Sequence, residues 1–217
     1  MGCISKRMPD AVLSQPHSAS LIDLDGDCIS DLFLTVQNEG VSYYEIYLRR
    51  EPIVDPEMEP VPNNGKNVYC LVAREQVASD SVFKFADLDR DGMMDMAYIT
   101  QGKNLNVHYN RLVSELKKNQ NQRGISLFTS KDVCASPNLA VNLIKDMFTP
   151  PEKAASYPQS VMQIDLAQRT GTAQLKKGTA SRPAQIYFGD LDSDGYPDLL
   201  ATMETSDGKS QVYSLLN

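Results

Sequence analysis

The sequence predicts an all-β fold made of repeated strand–loop–strand units, and three observations support this. A nine-residue, aspartate-rich loop occurs three times in the 217-residue chain, each time with the same spacing. Short apolar runs precede and follow these loops, which is typical of buried strands. Further strand-like runs follow each loop at short intervals, as expected for sheets of about four strands.

The three loops align without gaps, and each has Asp at positions 1, 3, 5 and 9. We refer to them as loop 1 (23–31), loop 2 (87–95) and loop 3 (190–198). Four carboxylates this close together repel one another unless a cation lies among them. Calcium takes about six to eight oxygen ligands, and alternating carboxylates can surround it.

The sequence therefore predicts one calcium ion per loop, three in total. Carboxylates at positions 1, 3, 5 and 9 are the predicted side-chain ligands, and position 7 supplies a backbone carbonyl. The carboxylate ligands are Asp23, Asp25, Asp27, Asp31, Asp87, Asp89, Asp91, Asp95, Asp190, Asp192, Asp194 and Asp198, and the carbonyls are those of Ile29, Met93 and Tyr196.

These loops do not match the EF-hand, which needs a bidentate Glu at position 12 and flanking helices. Position 12 is Leu34, Tyr98 or Ala201 here. Strands are predicted on both sides of the loops instead. They precede loops 2 and 3 at 81–86 and 184–188, and they follow the three loops at 32–36, 96–100 and 199–203.

Additional predicted strands complete units of about four strands, the size of a β-propeller blade. These strands are 42–49 and 68–73 after loop 1, 105–110 and 125–129 after loop 2, and 211–216 after loop 3. Loops 1 and 2 begin 64 residues apart, but loop 3 begins 103 residues after loop 2. The second interval is too long for one blade, so an insertion is expected there.

The insertion is predicted over residues 131–182. Ser136 and Pro137 followed by spaced apolar residues favour a short helix, which Pro150 and Pro151 end. A degenerate blade without calcium is the alternative for this segment. The predicted organisation is a tail (1–10), a blade with loop 1 (11–76), a blade with loop 2 (77–130), the insertion, and an incomplete blade with loop 3 (183–217).

The net charge of the chain limits the classes of macromolecule that it is expected to bind. The net charge is −7, which argues against nucleic acid. Twelve of the 28 acidic residues lie in the three loops, so three calcium ions would leave a net charge near −1. The acidity is thus attributed to metal sites.

The sequence contains no clear targeting signal, and its cysteines do not indicate a particular class of protein. No apolar run is long enough for a transmembrane helix, and residues 1–7 lack the apolar stretch of a signal peptide. Gly2 and Cys3 stand in a near miss to a lipidation signal, and lipidation is not expected. Four cysteines are too few and scattered for a disulfide framework or a zinc site, although a bridge between Cys70 and Cys134 stays open.

At these loops the chain resembles the FG-GAP (integrin-alpha-type) repeat family, whose motif is Asp-x-Asp/Asn-x-Asp-Gly-x-x-Asp-Leu. The segments 16–18, 31–35 and 189–198 narrow the resemblance to an integrin-alpha-like cell-surface protein of this family. The resemblance implies a seven-bladed propeller with calcium loops on one face. It also implies a membrane glycoprotein whose ectodomain is extracellular or luminal, and which binds protein partners through other propeller loops.

Three departures from the family pattern bear on these expectations. Loop 1 has Cys28 where loops 2 and 3 have Gly92 and Gly195, so loop 1 is expected to be the weakest site. Only three motifs are present, so the chain is expected to be a fragment or an unusual member. The sequence has no Asn-x-Ser/Thr sequon and no anchor, so membrane association is expected only through segments outside it.

A non-enzymatic interaction or adhesion module is the favoured function. Residues 21–27 resemble the nucleophile loop of haloacid-dehalogenase-type phosphatases, but an enzyme does not need one nucleophile loop three times. An accessory propeller domain of a secreted or luminal enzyme is the alternative. The sequence supplies no catalytic constellation.

Overall fold

The computed structural model describes residues 10–14, 19–50, 68–110, 112, 148, 161–166, 168, 171, 173–176 and 186–217. Over these residues the chain is all-β, as predicted, and its strands form three antiparallel sheets. None of the helices in the described part of the chain is long and apolar enough to cross a membrane.

The first sheet has the order β1-β3-β4-β5, with β2 also paired to β3. Strands β1 and β2 lie end to end along one edge of β3, because Leu13 pairs with Val36 while Ala19 pairs with Leu34. The strands are β1 (Val12–Leu13), β2 (Ala19–Ile22), β3 (Asp31–Asn38), β4 (Val41–Arg50) and β5 (Val68–Val77).

The second sheet has the order β6-β7-β8-β9. Its strands are β6 (Val82–Ala86), β7 (Asp95–Thr100), β8 (Asn104–His108) and β9 (Val161–Asp165). Strand β9 comes from within the predicted insertion and is the fourth strand of this sheet, the place for which the sequence predicts residues 125–129. That predicted strand and the predicted helix both lie outside the described residues.

The third sheet consists of β10 (Gln174–Leu175), β11 (Ile186–Gly189), β12 (Asp198–Glu204) and β13 (Ser210–Leu215). Strands β10 and β11 both pair with β12, and β13 pairs with its other edge. Strand β10 also falls within the predicted insertion. The third sheet therefore resembles the first, with an edge strand made of two separate pieces.

The second sheet lies between the other two and packs against both. Alternate side chains of a strand point to opposite faces. In β7, Met96 and Tyr98 pack into a core shared with the first sheet, around Phe33. Ala97 and Ile99 pack into a second core shared with the third sheet. Each core contains about a dozen buried residues, so many side-chain contacts hold each pair of neighbouring sheets together.

Tight turns connect the central strands of the first two sheets. Glu39 and Gly40 join β3 to β4 with φ values of 50° and 81°, and Gln101 and Gly102 follow β7 with φ values of 52° and 68°. Two successive left-handed residues suit the right-handed twist of a hairpin. The carbonyl of Gly102 also accepts a hydrogen bond from the backbone N–H of Leu175, which links the second sheet to the third.

Two cysteines of the described residues form disulfides. Cys28 and Cys70 are both disulfide-bonded, and none of the cysteines in the described part of the chain is free. The sequence predicted no disulfide framework but left a bridge of Cys70 open, and it gave no indication that Cys28 is bonded. Scattered positions in sequence come together once strands pair. Cys134, proposed as a partner of Cys70, lies outside the described residues.

Candidate metal centres

Each aspartate-rich loop joins the first strand of a sheet to the second. Loop 1 lies between β2 and β3, loop 2 between β6 and β7, and loop 3 between β11 and β12. In every loop three carboxylates converge, with one oxygen from each lying within 4.8 Å of the others. The converging groups are Asp23, Asp25 and Asp27; Asp87, Asp89 and Asp95; and Asp190, Asp192 and Asp194.

The carboxylate at position 1 shapes the turn by accepting backbone hydrogen bonds. In loop 1, Asp23 accepts from the N–H groups of Gly26 (2.8 Å) and Cys28 (2.7 Å). The N–H of Gly92 donates to Asp87 at 3.0 Å in loop 2, and that of Gly195 donates to Asp190 at 3.0 Å in loop 3. The same local pattern therefore curls the chain around its carboxylates in all three loops.

The carboxylate at position 5 accepts from the backbone N–H of position 7. The N···O distances are 2.8 Å in loop 1, 2.9 Å in loop 2 and 2.7 Å in loop 3. Such turns are typical of Asp, whose short side chain bonds the backbone two residues on. The position 7 carbonyls of Ile29, Met93 and Tyr196 remain predicted ligands.

The carboxylate at position 9 anchors the loop to its sheet. One oxygen accepts from the backbone N–H of position 2, and the other accepts from a backbone N–H near the end of β4, β8 or β13. For Asp95 these donors are Leu88 at 2.7 Å and Asn110 at 2.7 Å. The same pairs are Leu24 and Arg49 for Asp31, and Leu191 and Asn217 for Asp198. The sequence suggested only a ligand at this position and missed its anchoring role.

Burial changes the acidity of the position 9 carboxylates. Desolvation raises the pKa of Asp31 and of Asp95 to about 7, against the lowering influence of the two backbone hydrogen bonds. The pKa of Asp198 is lowered instead, because the hydrogen bonds from Asn217 and Leu191 outweigh desolvation there. The same carboxylate therefore has a different acidity in loop 3 than in loops 1 and 2.

Backbone strain is shared equally among the loops. Positions 4 and 6 have positive φ in every loop, and each loop fills one of them with Gly and the other with a non-Gly residue. Loop 1 places Gly at position 4 and Cys28 at position 6, whereas loops 2 and 3 do the reverse with Arg90 and Ser193 at position 4. The backbone thus gives no reason for loop 1 to be weaker than the others.

The surroundings of the loops differ more than their geometry. In loop 1, Asp25 and Asp27 are 2% and 6% exposed, whereas all three converging carboxylates of loop 3 are exposed. The exposure of the loop 2 carboxylates lies between those of loops 1 and 3. The leucine at position 2 follows the same order, with exposed fractions of 0% for Leu24, 6% for Leu88 and 49% for Leu191.

Contacts from the following sheet account for this order. The Asn110 side chain, after β8, donates to the carbonyl of Leu24 at 2.8 Å, and the Asn217 side chain donates to that of Leu88 at 2.8 Å. No motif in the sequence marks Asn110 or Asn217. They follow their position 9 carboxylates by 15 and 19 residues, so no fixed spacing marks them.

Side chains at position 7 add a second contact between neighbouring loops. Met93 of loop 2 approaches Gly26 of loop 1 so closely that a Cβ there would lie 3.1 Å from its sulfur. The ring of Tyr196 in loop 3 lies 4.9 Å from the guanidinium carbon of Arg90 in loop 2. Position 7 of each later loop therefore packs against position 4 of the loop before it.

Two curated proteins are similar to the chain over nearly its whole length. Both are named T-cell immunomodulatory protein homolog, and neither name describes an enzyme. The protein from Plasmodium yoelii yoelii is 26% identical over 92% of this chain and 27% of its own length. The protein from Plasmodium falciparum (isolate 3D7) is 24% identical over 92% of this chain and 26% of its own length.

The chain therefore spans about a quarter of the length of the curated relatives that it matches. Their name is also that of the cell-surface protein that residues 16–18, 31–35 and 189–198 resemble, T-cell immunomodulatory protein. No protein-family profile matches the chain, and no solved structure matches it at a significant level.

Proposed function

We propose that this chain is a calcium-stabilised part of a β-propeller and acts as a non-enzymatic interaction module. The observation that carries the proposal is the threefold recurrence of one arrangement, in which three carboxylates converge within 4.8 Å on a loop held by its own backbone. A loop that recurs in every sheet suits a structural role better than a catalytic one.

The donor set fits calcium. All converging groups are carboxylates, which are hard oxygen ligands, and calcium accepts about six to eight of them. The backbone hydrogen bonds at positions 1 and 5 hold the carboxylates in place. A calcium ion would complete each site with carboxylates from its loop and the carbonyl at position 7.

The three sheets support the propeller part of the proposal. They are antiparallel, each carries its loop between its first and second strands, and the second sheet packs face to face with both neighbours. We propose that they are successive blades. The side chains of Tyr187 and Val212 in the third sheet and of Leu216 just after it are 48%, 64% and 55% exposed, which suits a sheet that a further blade would cover.

Interaction or adhesion at a cell surface is the role we propose for the propeller. The relatives are named for immunomodulation, which suits a protein that acts through protein partners. Propeller loops away from the calcium sites would provide the binding surface. Fold alone does not identify the partner, so the proposal is limited to a protein ligand.

An extracellular or luminal location is the setting we propose. Cys28 and Cys70 are disulfide-bonded, and disulfides persist mainly in oxidising compartments. Extracellular calcium modules have dissociation constants of about 10⁻⁴–10⁻³ M, far above resting cytosolic calcium. Both properties favour the secretory pathway or the cell surface.

Equilibrium dialysis with radiocalcium tests the proposal on the full chain. We expect about three ions bound per chain at millimolar calcium, with dissociation constants above micromolar. Magnesium at the same concentration is the control, because it prefers a smaller octahedral site and keeps its own waters. Fewer than two calcium ions per chain would contradict the metal sites. Micromolar or tighter binding at all three loops would contradict the location.

A further inference from the structure

Two asparagines connect the three loops into one hydrogen-bonded series. Asn110 is 3% exposed and follows β8. Its backbone N–H donates to Asp95 of loop 2 at 2.7 Å, and its side-chain amide donates to the Leu24 carbonyl of loop 1 at 2.8 Å. One residue therefore holds the position 9 carboxylate of its own loop and the backbone of the loop before it.

Asn217 repeats this arrangement one sheet later. Its backbone N–H donates to Asp198 of loop 3 at 2.9 Å, and its side chain donates to the Leu88 carbonyl of loop 2 at 2.8 Å. The corresponding residue of the first sheet is Arg49, whose backbone N–H donates to Asp31 at 2.8 Å. Arginine has no carboxamide to make the second contact. Among the described residues, the double contact therefore occurs between the first and second sheets and between the second and third.

The contacted carbonyls lie between predicted ligands. Leu88 stands between Asp87 and Asp89, so a hydrogen bond to its carbonyl fixes the backbone that carries both carboxylates. The N–H of Leu88 also donates to Asp95 at 2.7 Å, and Asp95 in turn accepts from Asn110. The series thus runs through Leu88 and Asp95 of loop 2, from Asn217 on one side to Asn110 on the other.

We infer that Asn110 and Asn217 are positioning residues that couple calcium binding between neighbouring loops. A loop that is ordered by calcium holds its position 9 carboxylate and the adjacent asparagine in place. The asparagine then holds the preceding loop in its binding conformation, so less order has to be gained when that loop binds. Coupling of this kind is reciprocal, so each loop raises the affinity of its neighbour by the same factor. This inference rests on the proposed calcium sites.

The boundary between loops 2 and 3 is the better one to test, because the residues to be changed are exposed. Asp89→Ala removes a predicted ligand of loop 2. Asn217→Ala removes the side-chain hydrogen bond to Leu88 but retains the backbone N–H that donates to Asp198. Ser214→Ala, at an exposed position of β13 outside the series, is the matched control.

Hydrogen–deuterium exchange during a calcium titration reports each loop separately. The measured quantity is the calcium concentration that half-protects the amides of loop 3 in the full chain. Loop 2 is more buried than loop 3, and we expect it to fill at lower calcium. Asp89→Ala should therefore raise the loop 3 midpoint about fivefold, which is at the lower end for coupled sites. The same substitution in the Asn217→Ala background should produce no further increase, whereas in the Ser214→Ala background it should still produce the full increase.

Two results would overturn the coupling while retaining the calcium sites. One is an unchanged loop 3 midpoint in Asp89→Ala. The other is an equal increase with and without the Asn217 side chain. If calcium protects no loop in the unsubstituted chain, the proposed function itself fails together with the coupling.

Discussion

Loops 1 and 3 have the same carboxylate spacing and the same anchoring hydrogen bonds, but they lie in different surroundings. In loop 1, Asp25 is 2% exposed and Leu24 is fully buried. In loop 3, the carboxylates are exposed and Leu191 is 49% exposed. The local sequence therefore produces the loop, and the following sheet determines how much water reaches it.

This difference separates two properties of a metal loop. The carboxylates at positions 1 and 5 are held by backbone hydrogen bonds within the nine-residue loop, whereas the carboxylate at position 9 also accepts one from a residue outside it. The strength of repulsion among those carboxylates depends on the surrounding dielectric, which falls as neighbouring sheets exclude water. Loop 1 should accordingly be the more destabilised of the two without calcium, and the more dependent on it.

Calcium removal should have the largest effect. An ion at a hundredfold excess over its dissociation constant adds about 2.7 kcal/mol for each site that only the folded state provides. For a chain of this length, EDTA should lower the melting temperature by roughly 5–10 °C per filled loop. Asp192→Ala should remove only the part that comes from loop 3.

Calorimetric melting in calcium and in EDTA measures this dependence, and EDTA already saturated with calcium is the control. A melting curve that EDTA leaves unchanged would contradict a structural role for the metal. Exchange measurements under the same conditions should show the larger loss of protection in loop 1.

Neutralising one carboxylate of the buried loop 1 should lower the stability of the chain with calcium bound and raise it once calcium is removed. With calcium, both Asp25→Asn and Asp192→Asn should lower the melting temperature, because each weakens a ligand. In EDTA, Asp25→Asn should raise stability by on the order of 1 kcal/mol, because one fewer carboxylate is left to repel its neighbours at short range. Asp192→Asn should have little effect in EDTA, because solvent screens the exposed carboxylates.

Chemical denaturation of this matched pair in both buffers gives the comparison directly. Equal responses of the two variants in EDTA would show that burial does not distinguish the loops. A loss of stability for Asp25→Asn in EDTA would show that its carboxylate is stabilising even without calcium.

Exchanging residues at position 4 should give the smallest effects. Gly26 has φ 75° and lies against Met93, so Gly26→Ala should cost about 1 kcal/mol from the left-handed conformation alone. Ser193 has φ 65° at the same position of loop 3, and Ser193→Gly should stabilise by about a few tenths of a kcal/mol. The gain is small because Gly also increases the freedom of the unfolded chain.

Urea unfolding in saturating calcium measures both changes against the unsubstituted chain. A neutral Gly26→Ala would show that Met93 and the backbone adjust without cost. A destabilising Ser193→Gly would show that the serine makes a contribution other than its backbone conformation.

The sequence by itself determined the all-β class, the three loops and most of the strands around them. Periodic apolar runs and the spacing of Asp are local properties. Strands such as 96–100 and 199–203 could therefore be predicted from the residues in and next to them. The carboxylates at positions 1 and 3, which the spacing predicts as ligands, lie close together in all three loops. Position 5 joins them in loops 1 and 3, for the same local reason.

The tertiary structure decided what depends on distant partners. Strand β9 is recognised only by its pairing with β8, because a single apolar alternation within a polar segment carries a weak signal. The anchoring of Asp95 by Asn110, and the contact of Asn110 with Leu24, join residues 15 and 86 positions apart. The burial of loop 1 depends on a sheet that begins about fifty residues later. No local pattern encodes these relations, because they arise only when separate sheets pack face to face.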